Sequence, residues 1–173
     1  MNKTVSGFVC AGFLAIPFAA SAQGVTDAQI ASIVVTANQV DIKAGKLAES
    51  KAMDPQVKAF GRQMVTAHTG VNKSATELVM KLKVAPEDNA TSMSLKSGGD
   101  ENVKSLERLS GAAFDKAYVD HEVVYHQQVL DAVDKTLIPG ATNAELKALL
   151  VKVRPAFVAH LEHARHLQMT LGR

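Results

Sequence analysis

A carboxylate and two histidines stand where apolar helical stripes would otherwise continue. Asp41 lies between Ala37 and Ala44 on the inward face of one predicted helix, and His68 and His160 interrupt two other stripes in the same way. Imidazole nitrogens and carboxylate oxygens are ligands that divalent transition metals take in proteins. Because each residue is placed by the spacing of its own helix, the shared inward direction predicts that they meet in the core as a metal site.

A further stretch of the chain carries more ligand types close to its apolar stripe. His121 and Glu122 lie near the inward face with Tyr118 one turn earlier, and His126 lies on the flank, one turn after Glu122. Helical phase alone therefore favours His121 over His126 as a core residue. In the last stretch, His163 follows the inward histidine by three residues and is a secondary ligand candidate.

Two other arrangements would also satisfy these buried groups. Burying a carboxylate or an imidazole costs on the order of several kcal/mol unless the group is paired or bound to a metal. A metal-free network that joins Asp41 to His68 and Tyr118 to His160 meets this need, and so does a small organic ligand. If the site holds a metal, Zn, Cu or Ni ions suit its donors. Its affinity then falls below about pH 6, because neutral imidazole is the form that binds.

Four long amphipathic helices are predicted to carry these residues. The first begins at Thr26, where Thr26 and Gln29 form a capping box. The second begins at Asp54-Pro55, which places an N-cap before a proline at the first helical position, and it stops before Pro86. The third spans about Ala112 to Thr136, where a proline and a glycine follow.

The fourth helix and the long central connection complete the predicted architecture. A second capping box, Thr142 to Glu145, opens the fourth helix, and Pro155 lies inside it. Residues 86–99 are predicted to form a loop, followed by a short helix from about Asp100 to Leu109 that breaks at Ser110-Gly111. The fold class is therefore all-α: a four-helix bundle with an extra short helix between helices 2 and 3.

Composition agrees with a helical protein and excludes several classes. The chain has 173 residues, of which 47% are apolar and only 5% aromatic, with a formal net charge of +2. Such a chain can form a core, and its low aromatic content suits helices better than sheets. The nearly balanced charge offers no basic stripe, so nucleic acid is not an expected partner.

The N-terminal residues are typical of an export signal. Lys3 precedes an apolar run that is too short for a comfortable membrane span, and the run ends in Ala20-Ser21-Ala22. We expect cleavage after Ala22, which leaves residues 23–173 as one domain in the bacterial periplasm, without a transmembrane segment. Cys10 is the single cysteine and lies within the signal, so disulfides and thiol catalysis are not expected.

Several short runs along the chain together resemble one large bacterial family. They are Val40-Asp41, Asp54-Pro55, Met64 to Thr69, Phe114 to Tyr118, and His160 to Leu167. Over residues 26–170 the chain resembles the domain of unknown function 4142 family, whose exported members often carry an outer-membrane label. That family is grouped with the ferritin-like superfamily, so the resemblance implies a ferritin-like bundle.

The resemblance also implies which residues form the polar cluster. The family's acidic position in the first helix falls on Asp41, and its histidines fall on His68, His126 and His160. It thus favours His126 over His121. The sequence departs from the family at Ala67 and Tyr125, where an aspartate is common before the histidine. Each departure removes a carboxylate that could support a metal ligand.

The residues do not support the di-iron chemistry that a ferritin-like fold suggests. A di-iron site needs two Glu-x-x-His motifs, but Val65, Val123 and Phe157 stand three residues before the three histidines. We therefore expect a non-enzymatic periplasmic bundle with a buried Asp/His cluster that binds a divalent transition metal in an envelope or stress role. A metal-free structural or interaction module of the envelope is the alternative, with an envelope protein or a second copy of the chain as partner.

Overall fold

The structure, a computed structural model, describes residues 24–172, and every regular element within them is helical. The elements are α1 (Asp27–Lys51), α2 (Pro55–Leu82), α3 (Ala90–Glu107), α4 (Gly111–Ala132), a π-helical segment (Val133–Leu137), α5 (Ile138–Gly140) and α6 (Ala144–Leu171). The predicted all-α helical bundle is confirmed. The predicted export signal and Cys10 lie outside the described residues.

The helix starts follow the predicted caps in the first half of the chain. The Thr26 hydroxyl accepts from the Gln29 backbone N–H, and the Gln29 side chain accepts from the Thr26 N–H, which completes the capping box. The Asp54 carboxylate accepts from the N–H groups of Gln56 and Val57 at the start of α2. Helix α2 ends where Lys83 takes a left-handed conformation, three residues before Pro86.

The predicted loop over residues 86–99 is largely wrong, because α3 begins at Ala90. The side chain of Asn89 accepts from the N–H groups of Thr91 and Ser92, and the Ser92 hydroxyl accepts from the Asn89 N–H. This cap starts a helix in a run of serines and glycines that have low helix propensity. Packing against α1 then stabilises it: a Cβ on Gly99 would lie 2.6 Å from the Val40 side chain.

The start of α6 also differs from the prediction. Asn143, not Thr142, is the N-cap, and its side chain accepts from the N–H groups of Glu145 and Leu146. Thr142 instead donates its backbone N–H and its hydroxyl to the carboxylate of Asp27. The first turn of α1 is thereby tied to the loop that precedes α6.

The helices form two closely packed pairs, α1 with α2 and α4 with α6, and α3 packs mainly against α1. Gly111 opens α4 with a φ of 57°, which suits glycine, and confirms the predicted break at Ser110-Gly111. One turn later the buried Asp115 accepts from the backbone N–H groups of Met53 and Asp54. This carboxylate joins the start of α4 to the turn between α1 and α2.

Two apolar clusters fill the interior at either side of a polar layer. The Ile30 cluster includes Ile30, Ile33, Val34, Ala75, Leu130, Leu146, Leu150 and Phe157. The Phe60 cluster includes Ala44, Ala48, Phe60, Met64, Phe114, Val119, Ala164 and Leu167. On each of α1, α2, α4 and α6 one or two buried polar residues fall between members of the two clusters, so that a polar layer lies partway along the bundle. They are Asn38 and Asp41 on α1, His68 on α2, Glu122 and His126 on α4, and His160 on α6.

No helix within residues 24–172 combines the length and the apolar character that a bilayer span requires.

A close approach of two glycines sets the spacing of α1 and α2. A Cβ on Gly61 would lie 2.8 Å from the Gly45 carbonyl oxygen and 2.8 Å from the Ala48 Cβ, which is closer than such atoms can pack. Gly45 lies one turn after Asp41, and Gly61 lies two turns before His68. Because neither glycine carries a side chain at this contact, the two helices pack closely enough for Asp41 and His68 to approach each other.

We expect Gly61→Ala to destabilise the fold by about 1–3 kcal/mol, because backbone atoms must separate to admit the methyl group. Gly70→Ala in the same helix is the matched control, since a Cβ there meets nothing within 4 Å. The control should be neutral or stabilising by up to about 1 kcal/mol through helix propensity. Urea unfolding followed by circular dichroism measures both changes; equal stability of the two variants would contradict the close contact.

Candidate metal centre

Five titratable side chains from four helices meet in the polar layer, each no more than 4% exposed. They are Asp41, His68, Glu122, His126 and His160. The centroids of the three imidazole rings lie 5.2 to 5.7 Å from one another. Potential ligand atoms of the three histidines lie within 4.8 Å of one another, as do those of Asp41, Glu122 and His126.

Asn38 fixes the tautomer of His68. The Asn38 amide Nδ2 donates to the Val34 carbonyl oxygen at 2.7 Å, so its Oδ1 is the atom that faces the imidazole. His68 Nδ1 lies 2.6 Å from this Oδ1 and must donate its proton to it. In the neutral imidazole the proton therefore sits on Nδ1, and Nε2 presents a lone pair to the polar layer.

Glu122 orients His126 in the same manner. His126 Nδ1 lies 3.1 Å from the backbone carbonyl oxygen of Glu122 and 3.3 Å from its side-chain Oε2. Both of these atoms are acceptors when the carboxylate is ionised, so Nδ1 carries a proton. The Nε2 lone pair of His126 is thereby directed away from Glu122 and toward Asp41.

The two imidazoles converge on one carboxylate oxygen. Asp41 Oδ2 lies 2.9 Å from His68 Nε2 and 3.4 Å from His126 Nε2. These atoms have no aligned hydrogen-bond partner among residues 24–172, and neither does His160 Nδ1. With both imidazoles neutral, lone pairs would face lone pairs, so this arrangement requires an added proton or a metal cation.

The charges within the layer shift its pKa values in opposite directions. Burial opposes charge on His126, but the adjacent Glu122 carboxylate and the charge of Asp41 raise its pKa to about 9. Burial also opposes ionisation of Asp41, yet the three histidines together lower its pKa. Burial, followed by the neighbouring His68 and His126, lowers the pKa of His160 to about 4. Without a metal, a positive charge on His126 is therefore stabilised by Glu122 and Asp41.

Glu122 and Tyr118 extend the layer along α4. Burial, together with the charge of Asp41, raises the pKa of the Glu122 carboxyl to about 7, although His126 acts in the opposite sense. The Tyr118 hydroxyl has no hydrogen-bond partner among the described residues. The predicted contact between Tyr118 and His160 is therefore not formed as a hydrogen bond, whereas Asp41 and His68 are adjacent as the metal-free network requires.

The structure brings the four primary candidates and Glu122 together and leaves the two other secondary candidates outside. His121 is half-buried and stacks on the ring of Tyr125, with centroids 5.7 Å apart. His163 hydrogen-bonds the Gln63 side chain at 3.0 Å. The preference of helical phase for His121 over His126 is wrong, because the inward stripe of α4 runs through Tyr118, Glu122 and His126.

Sequence reasoning missed Asn38, and it placed Tyr125 inward without its hydrogen bond. Asn38 lies three residues before Asp41 on the same face of α1, so a second polar residue in that stripe was the available signal. The buried Tyr125 hydroxyl donates to the Ala37 carbonyl oxygen at 2.8 Å and so ties α4 to α1 beside the cluster. The family resemblance singles out Tyr125 because an aspartate is common at that position. In this chain the Tyr125 side chain joins two helices and is not a candidate metal ligand.

Residues 15–167 match the family model described as "Domain of unknown function (DUF4142)". No curated protein and no solved structure matches the chain.

The raised pKa of His126 predicts a pH-dependent stability for the metal-free protein. Its folded-state pKa of about 9 exceeds the usual value of 6.5, so its stabilisation is complete below the usual value and is lost as the pH rises through 9. We expect the free energy of unfolding to fall by about 1–3 kcal/mol between pH 7 and pH 9.5.

Denaturant unfolding in the presence of a chelator measures this slope. His126→Gln should flatten it, while the exposed His166→Gln should leave it unchanged. An equally steep slope in His126→Gln would show that the proton is held elsewhere.

Proposed function

The chain belongs to the domain of unknown function 4142 family, whose model covers residues 15–167, and we propose that its core binds one divalent transition-metal ion. The ligands in this proposal are His68 Nε2, His126 Nε2, His160 and Asp41. The role is binding rather than catalysis, in a bacterial protein exported to the periplasm.

The convergence of lone pairs at Asp41 is the observation that supports the proposal. Hydrogen bonds to Asn38 and to Glu122 occupy the Nδ1 protons of His68 and His126, which leaves both Nε2 atoms free for a cation. Metal-binding histidines commonly donate their other ring N–H to a carbonyl or carboxylate in this way. The backbone carbonyl and carboxylate of Glu122 supply the support that the family's aspartate would give at the position of Tyr125.

The donor set favours borderline divalent ions. Three imidazoles and one carboxylate suit Zn, Cu(II) and Ni, while Mg and Ca prefer all-oxygen sites. Asp41 contributes one negative charge, which offsets part of the charge of a divalent ion in the buried layer. The four ligands come from α1, α2, α4 and α6, so a bound ion would link both helix pairs.

A metal-free structural module is the second candidate function, and the ion pair of Asp41 with a protonated His126 favours it. In that case the polar layer fixes the alignment of the helices, and the outer surface binds an envelope protein or a second copy of the chain. Metal ions would then leave the melting temperature unchanged.

A metal titration distinguishes the two candidates. Protein that has been dialysed against chelator should bind about one equivalent of Zn, Cu(II) or Ni tightly, with a rise in melting temperature. His68→Ala/His160→Ala should abolish this site, and the exposed His166→Ala should retain it. Unchanged binding in the double variant would refute the proposal. Elemental analysis of untagged protein from its own periplasm then identifies the ion.

Asn38→Leu tests whether the outer hydrogen bond matters for the metal. Loss of the acceptor for His68 Nδ1 should weaken metal affinity by roughly 10- to 100-fold, because the ring and its tautomer are no longer fixed. Asn72→Leu is the matched control, since the Asn72 amide donates only to the Val35 carbonyl oxygen, at 3.4 Å. Competition with a chromophoric chelator measures both affinities. Equal affinities would assign Asn38 to packing alone.

A further inference from the structure

Three oxygen atoms beside the candidate metal ligands lack partners although they are fully buried. They are Asp41 Oδ1, the Tyr118 hydroxyl and Glu122 Oε2, which lies 3.3 Å from His126 Nδ1 without an aligned hydrogen bond. Leaving a buried polar atom without a hydrogen bond costs about 1–3 kcal/mol, so three such atoms in one layer indicate that a shared partner completes them. The four metal ligands proposed above do not satisfy any of the three.

The two carboxylates lie close enough for one small molecule to bridge them. One carboxylate oxygen of Asp41 and one of Glu122 lie within 4.8 Å of each other. A single water that donates both protons spans roughly 4.5 Å between two acceptors, since each hydrogen bond is about 2.8 Å long. Tyr118 lies one turn before Glu122 on the same buried face of α4, where its hydroxyl can donate to the oxygen of that water.

The chemistry of the three groups selects the ligand. Two carboxylates repel an anion, and they accept hydrogen bonds from a neutral molecule that carries O–H or N–H groups. The lone pair of such a molecule is then free to bind the metal at a position that the protein ligands leave open. Open coordination positions of this kind distinguish reactive metal sites from closed structural ones.

We propose that Asp41 Oδ1, Glu122 and Tyr118 form a pocket that holds a water, or another neutral protic molecule, on the metal ion. This inference rests on the proposed metal-binding function. It adds an exchangeable fifth ligand to the three histidines and Asp41, and it gives Tyr118 and Glu122 a role in positioning that ligand.

Pulsed electron paramagnetic resonance of the Cu(II)-loaded protein in ¹⁷O-enriched water tests the pocket. Nitrogen couplings report the imidazole ligands and thus the proposed function, whereas an ¹⁷O coupling reports a bound water. We expect both signals in the wild-type chain. Nitrogen couplings without an ¹⁷O coupling would overturn the pocket and leave the metal site intact. Copper without imidazole couplings would overturn both.

Matched variants locate the water. Tyr118→Phe should weaken the ¹⁷O coupling, and Tyr118→Phe/Glu122→Leu should abolish it while the nitrogen couplings persist. Tyr125→Phe is the control, because that buried hydroxyl on the same helix already donates to the Ala37 carbonyl oxygen. It should leave the ¹⁷O coupling unchanged. An ¹⁷O coupling that survives in the double variant would place the water elsewhere and overturn the inference.

Discussion

The buried carboxylate of Asp41 is the constraint on which the interior of this protein depends. It lies beside two imidazoles whose Nδ1 protons point outward to Asn38 and Glu122, so that neither ring, when neutral, offers it a proton. Several kcal/mol of desolvation must be offset by a positive charge at this point. A protonated imidazole beside Asp41 supplies that charge in the metal-free protein, and a divalent cation would supply more of it.

The rest of the fold holds the partners of Asp41 in place around it. Apolar clusters on both sides separate the polar layer from bulk solvent, which strengthens every electrostatic interaction within it. The Gly45–Gly61 contact lets α1 and α2 approach closely. Asp115 joins the start of α4 to the turn between those two helices and so fixes the position of α4 along the bundle axis.

Much of this arrangement could be predicted from the sequence, and the failures have physical causes. Caps at Thr26 and Asp54 and regular apolar stripes specify α1 and α2, because those signals are local. The N-terminal half of α3 could not be predicted, since its serines and glycines are helical only through the cap at Asn89 and the packing of Gly99 on Val40. Helical phase placed Asp41, His68 and His160 inward but misjudged His126, whose inward direction depends on how α4 packs against the other helices. How far along the bundle axis each site residue lies, and hence whether these residues meet, likewise depends on tertiary packing.

The short connection between α1 and α2 has a consequence for how the protein assembles. Only Ala52, Met53 and Asp54 separate the two helices, so their contacts are close in sequence and cost little loop-closure entropy to form. Asn38, Asp41 and His68 therefore lie within a single helical hairpin. Glu122, His126 and His160 lie on the other helix pair, α4 and α6. The cluster is therefore complete only when the two pairs have docked, and an ion bound there would cross-link them.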